Sequence, residues 1–542
     1  MMAANTSGSR IDKCCNALRS RRSVRTRAAT CALIAVSFAF AWAPICAGAD
    51  RVIQVTPARL DAAIARLESK AAQVIAKSGV PGIAIAVVHD DQVRYLGGFG
   101  VRDVGKPDAV DADTVFQIAS MSKSLASTVV AGLVSDGLVS WDSRIAQLQP
   151  AFALHEPWVT SQVTLRDLFS HRSGLSGNAG NDLEALGYRR DPILARLRHL
   201  KPASSFRSTY AYSNFGLTMG AIAAVQPSGM SWEDVADKRL YSRLGMTSTS
   251  SRYADFQKRP NRAHQHIQFD GRWSPKLTRD PDPQSPAGGV SSSVRDLAQW
   301  VRLQLANGMH NGEPVIKAAA LQETHFPQIV RGRDPDSGRP AWYGLGWGVD
   351  YDEHGRLFLA HSGAFSTGSR TQVNLLPAAN LGIVVLTNAF PSGVPEGLTA
   401  DFFEFVLNGQ VEKDWVAIWN QRFGALMTMM SASASAYASK PVMVSAPGLP
   451  LVAYAGRYGN DYIGPVEVVI QDGELAILQG PQRIRHALTH FDRDLFIYHP
   501  VPEWPDFVAG VTFSIGPDQR ASQVVIEDLN DDGQGTLLRM SR

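Results

Sequence analysis

Three short motifs carry residue types that acyl-transfer chemistry can use. They are Ser120-Met121-Ser122-Lys123, Tyr212-Ser213-Asn214 and His361-Ser362-Gly363. Residues three apart on a helix share a face, so Ser120 and Lys123 are expected to point into one site. A serine hydroxyl attacks poorly until a base takes its proton, and a desolvated, neutral lysine is such a base. Of the twelve lysines in the chain, only Lys123 has a serine three residues before it. Residues 114–119 end in apolar side chains, and residues 124–138 carry Leu125, Val129 and Leu133 at helical spacing. Ser120 is therefore predicted near a helix N-terminus, where backbone N–H groups and the helix dipole favour developing negative charge.

The other two motifs have look-alikes. Tyr458-Gly459-Asn460 falls in a later module, His310-Asn311-Gly312 in a Gly-rich turn, and Lys77-Ser78-Gly79 precedes the serine. His361-Ser362-Gly363 instead follows the apolar run 357–360 and precedes residues 371–376, which fits a strand edge. Alone, Tyr212 reads as a core aromatic and His361 as a strand-end cap. His171 reads as fixing the turn before Gly174, and His264-Gln265-His266 as part of a strand or loop surface. No His-Glu-x-x-His or paired Cys-x-x-Cys is present, so the sequence supports no metal site, and no cofactor is expected.

The elements around these motifs divide the chain into a leader, a large domain, a linker and a small β module. In residues 1–49, Arg19, Arg21, Arg22, Arg25 and Arg27 precede an apolar core at 28–43, and Ala47-Gly48-Ala49 offers a small-x-small cleavage site. This reads as a signal peptide cut after Ala49, giving a periplasmic or secreted protein with Sec and twin-arginine export both open. The apolar stretch is short for a membrane span, so no stable span is expected after processing. Cys14, Cys15, Cys31 and Cys46 all lie in the leader, which leaves no thiol for disulfides or catalysis beyond it. The leader holds seven basic residues and one acidic, a net of +6; taken from the +3 of the whole chain, this leaves −3. No basic surface for nucleic acid is implied. Residues 50–426 form the large domain. Residues 427–450, with alternating Ser and Ala at 431–436 followed by Pro441, Pro447 and Pro450, read as a poorly packing linker. From 451 to 542 short alternating strands are predicted at 466–470, 475–478, 495–498, 510–515 and 523–529, with a turn at Gln471-Asp472-Gly473-Glu474.

Over residues 58–408 the chain resembles the serine β-lactamase and DD-peptidase superfamily. The three motifs carry the resemblance, with Gly79-Val80-Pro81-Gly82, Phe116-Gln117-Ile118-Ala119, Ala287-Gly288-Gly289-Val290 and Tyr343-Gly344-Leu345-Gly346-Trp347 beside them. It implies an α/β (α+β) fold, in which helices and a helical subdomain flank an antiparallel sheet. The end of the chain resembles a small lipocalin-like β-barrel found on some such peptidases, for which a structural, gating or oligomer-forming role is expected. Carried over, Ser120 is the acylated nucleophile, Lys123 its proton acceptor, and Tyr212 a shared acid–base group. Asn214 holds the substrate backbone or Lys123. The Ser120 and Ala364 N–H groups, beside Gly363, form the oxyanion hole. His361 stands where β-lactamases have lysine, and members with histidine there look more like DD-peptidases and D-amino-acid peptidases. The implied activity is hydrolysis of linear peptides, including ones with D- or non-protein residues such as linearised microcystin. A carboxylesterase, a β-lactamase or DD-carboxypeptidase, and a non-catalytic ligand sensor remain open.

Overall fold

The computed structural model describes residues 54–269, 271–438, 446–501 and 507–541, so the leader expected over 1–49 lies outside the described residues. The organising strand is β1 (Gly82–His89), an apolar run buried along its whole length. Strands of that kind are covered on both faces. Seven more join it: β2 (Gln92–Gly100), β3 (Ile329–Arg333), β4 (Pro340–Tyr343), β5 (Gly348–Tyr351), β6 (Leu357–Phe365), β7 (Ser369–Leu376) and β8 (Leu381–Thr387). They form one antiparallel sheet in the order β2-β1-β8-β7-β6-β5-β4-β3.

The alternation of side chains along β1 splits the core in two. Ile83, Ile85 and Val87 pack with Leu60, Leu67 and Val74 of α1 (Pro57–Ser78) and with Leu398 and Phe402 of α5 (Val394–Asn408). Ala84, Ala86 and Val88 face the opposite cluster, which contains α2 (Ser122–Ser135), α3 (Asn214–Val225) and α4 (Val294–Leu305). These three helices belong to the long excursion between β2 and β3, the helical subdomain expected from the sequence. Helix α2 is buried on every side from Ser122 to Leu133. It tolerates this because its hydroxyls are paired: Ser124 donates to the Gly346 carbonyl at 2.7 Å, and Thr128 accepts from Trp300 Nε1 at 3.0 Å.

The stretch read as a linker is in part a helix. Helix α6 (Trp415–Ala438) packs on α5 and continues through the Ser/Ala run. Alanine, methionine and leucine are good helix formers and no glycine or proline interrupts residues 425–438, so propensity outweighs low complexity there. Beyond it, nine strands make a nearly closed antiparallel sheet, compatible with a lipocalin-like barrel. Its two edge strands, Ile484–Ala487 and Thr489–Asp492, are separated in sequence by Leu488 alone. The predicted turn is present, with Asp472 at φ 53° and Gly473 at φ 81°. Positive φ at both central residues is the geometry that matches strand twist in a two-residue hairpin.

Candidate active site

Ser120 occupies a single 3₁₀ turn, Ala119–Met121, that runs directly into α2. Ala119 is held at φ 49°, a left-handed conformation uncommon for alanine that the surrounding packing must impose. Strand β7 braces this turn: Thr371 Oγ1 donates to the Ile118 carbonyl at 2.8 Å and Ser369 Oγ to the Gln117 carbonyl at 2.7 Å. A Cβ on Gly363 would stand 2.1 Å from the Ile118 oxygen and 3.0 Å from the Ser120 nitrogen. Only glycine lets β6 approach the Ser120 backbone so closely. Ala364, the next residue, lines the same cleft as Ser120.

Lys123 is completely buried. Its Nζ lies 3.0 Å from Ser120 Oγ, 2.7 Å from Asn214 Oδ1 and 3.0 Å from the Ala287 carbonyl. Burial drives its pKa well below that of a free lysine, against the weaker pull of the Glu184 charge. A neutral amine has two N–H donors and one lone pair. The Asn214 and Ala287 oxygens accept the two N–H groups, so the lone pair faces the Ser120 hydroxyl and can take its proton.

Asn214 reaches this position because Ser213 is the N-cap of α3, accepting from the Gly216 N–H at 3.1 Å. Tyr212 lines the same cleft as Ser120, and its ring centroid lies 4.5 Å from Lys123 Nζ. Burial raises its pKa well above that of free tyrosine, so it stays protonated at neutral pH. His361 Nδ1 lies 2.7 Å from the Ser362 carbonyl and its Nε2 2.9 Å from the Tyr343 hydroxyl. A carbonyl only accepts, so Nδ1 carries the proton and Nε2 accepts from Tyr343. Burial holds the His361 pKa down to about 3, which leaves a neutral ring.

Ser120, Tyr212, Asn214, His361 and Ala364 thus line one cleft of about 700 Å³, and Lys123 and Gly363 stand against Ser120. Several contributors were not singled out from the sequence. Tyr343 was visible only within a family-like stretch, and Ser362, which lines the cleft, only as the middle of a motif. His171 does more than fix a turn: its Nδ1 accepts from the Ser213 N–H at 3.1 Å, and its ring lies 4.6 Å from that of Tyr212. His266, read as a surface residue, is instead buried, its Nε2 accepting from the Val104 N–H at 3.1 Å. Among the described residues, no group of three His, Cys, Asp or Glu side chains is placed to hold a metal ion.

The loop that carries Tyr212 is tied down by Asp167, which is fully buried. Its Oδ1 accepts from Arg172 Nε at 2.8 Å and Arg207 Nε at 2.9 Å, and its Oδ2 from Arg207 Nη2 and Thr164 Oγ1, both at 2.8 Å. Burial alone would raise this carboxyl's pKa, but the Arg207, Arg172 and Thr164 hydrogen bonds outweigh it and hold it below the usual aspartate value. Its stabilisation is therefore present above the unfolded pKa of about 3.9 and is lost as acid carries the pH down through the lower folded value. Asp167→Asn is expected to cost about 3–5 kcal/mol, the scale of breaking one partner of a buried pair. Chemical denaturation at neutral pH checks it, and an unchanged midpoint would show that the arginines find water instead.

Two family descriptions match the chain: Beta-lactamase over residues 65–402, and a domain of unknown function, DUF3471, over residues 440–540. An unguisins hydrolase of Aspergillus violaceofuscus is 27% identical over 81% of this chain and 83% of its own length. Penicillin-binding protein 4 of Amycolatopsis lactamdurans is 29% identical over 60% of this chain and 85% of its own. Among solved structures, the octameric penicillin-binding protein homologue from Pyrococcus abyssi superposes with a TM-score of 0.56. It is 21% identical, over 88% of this chain and 100% of the homologue, and shares the fold. The first family match spans more than half of the chain and contains all three motifs, so this chain belongs to the Beta-lactamase family, the serine hydrolases of β-lactamase and penicillin-binding type.

Proposed function

We propose that the protein is an exported serine peptidase that hydrolyses linear peptides, including ones with D- or non-protein residues, through an acyl-enzyme on Ser120. The observation that carries the peptide reading is the free edge of β6. Among the described residues, β5 pairs with β6 only from Leu357 to Ala360, and the segment from His361 to Phe365 has no strand on that side. An extended peptide adds to such an edge through main-chain hydrogen bonds, which recognise the backbone and leave side-chain chirality to the surrounding walls. Lys123 takes the Ser120 proton as Oγ attacks the scissile carbonyl. Ser120 and Ala364 N–H groups receive the oxyanion, and the protonated Tyr212 phenol delivers a proton to the departing amine. Water then releases the acyl group by the same steps.

The neutral His361 supports peptidase over β-lactamase, because an uncharged ring offers a substrate carboxylate no fixed cation. The fungal relatives are named as hydrolases, and hydrolysis is the property extended here. Oligomerisation through the C-terminal module is extended in the same way from the octameric homologue, and light scattering on the full chain tests it. The function itself is tested by incubating the purified protein with linear L- and D-peptides, nitrophenyl esters and a chromogenic cephalosporin. Peptide turnover is expected to dominate, whereas ester turnover without peptide turnover would make the protein a carboxylesterase.

The pH profile follows from the same groups. Lys123 must be neutral, so kcat/KM is expected to fall as pH drops through its depressed pKa. The acid limb should be a single ionisation lying well below the ordinary lysine value of about 10.4. Tyr212 stays protonated past its ordinary value of about 10, so no alkaline limb is expected below that pH. A limb near 6.5 that disappears in His361→Gln would show instead that a protonated His361 takes part.

A further inference from the structure

Lys123 can serve as a base only if Asn214 presents its amide oxygen rather than its NH₂ group, which would occupy the amine's lone pair. Asn181 sets that choice. Asn214 Nδ2 donates to Asn181 Oδ1 at 3.3 Å, and Asn181 Nδ2 donates to the Gly177 carbonyl at 3.4 Å, so each amide fixes the next. The residues flanking Asn181 are in turn grasped by one side chain from the C-terminal module. The Tyr462 hydroxyl accepts from the Gly180 N–H at 2.9 Å and donates to Asp182 Oδ1 at 2.7 Å, and the residue is fully buried. The same module holds this loop at further points. Tyr188 donates to the Ile463 carbonyl at 2.9 Å, and Ser176 donates to Asp532 at 2.7 Å.

We infer that the C-terminal module is a positioning element for the chemistry. Tyr462 clamps the loop so that Asn181 turns the Asn214 amide toward Lys123. The inference rests on the reading of Lys123 as the base. It makes Asn181 and Tyr462 positioning residues, and it gives the appended barrel a role in turnover separate from substrate gating.

The test uses the full chain and the second-order rate of Ser120 acylation by a fluorophosphonate, with kcat and KM on a turned-over substrate. Tyr462→Phe keeps the ring and removes only the hydroxyl, Asn181→Leu removes the acceptor at similar volume, and Asn181→Asp restores it. Acylation and kcat are expected to fall about ten- to a hundredfold in Tyr462→Phe and Asn181→Leu, with KM and melting temperature little changed. Asn181→Asp should recover most of the rate, which a merely structural residue would not show. Lys123→Met separates the two readings. If it abolishes acylation while Asn181→Leu and Tyr462→Phe react at the wild-type rate, the positioning role is wrong and the base assignment stands. If Lys123→Met acylates normally, the base assignment itself fails. Should Tyr462→Phe not fold, the Asn181 pair decides the question alone.

Discussion

Ser120→Ala is expected to abolish turnover, by about 10⁶-fold, the scale on which a serine hydrolase loses activity with its nucleophile. The Ser120 hydroxyl is within hydrogen-bond reach of a base. It lies 3.0 Å from the buried Lys123, on a turn held against the β6 and β7 strands by Ile118 and Gly363. Its removal takes away one hydroxyl and opens no large cavity, so the melting temperature should stay close to that of the parent. Intact-mass and peptide-mapping measurements after fluorophosphonate treatment should find one adduct, on the peptide holding Ser120, and none in the variant. Retained hydrolysis with an adduct on a different serine would overturn the covalent mechanism.

Tyr212→Phe is expected to lower peptide turnover by about 10²–10⁴, the usual contribution of a positioned acid–base group. The size should depend on the leaving group. An amine cannot depart without a proton, whereas a nitrophenolate leaves readily as an anion. Because burial keeps the Tyr212 phenol protonated, its loss should fall on peptides far more than on nitrophenyl esters. Comparing kcat/KM for both substrates in parent and variant measures this directly. Equal losses on the two would place Tyr212 in activating Ser120 rather than in protonating the leaving group.

Both expectations start from features readable in the chain and depend on distances that are not. The Ser-x-x-Lys spacing is a local property, because helix geometry alone puts Ser120 and Lys123 on one face. Ser213 as the N-cap of α3, the two-residue turn at Asp472-Gly473 and the strand alternation of the last module are local in the same sense. Local preferences also explain why residues 427–438 are helical despite their Ser/Ala repetition, since alanine and methionine favour helix there.

Local patterns along the chain set the kind of chemistry and the elements that carry it. The tertiary structure decided how the groups face one another. Lys123 meets Asn214 across 91 residues, and Gly180 meets Tyr462 across 282. Contacts that distant arise from how helices and sheets pack, and no spacing rule encodes them. The lowered pKa of Lys123 and the neutral state of His361 belong to the same class, since both follow from burial that many separate segments create together. A motif names the residues that can react, and packing sets their protonation and the orientation of each amide beside them.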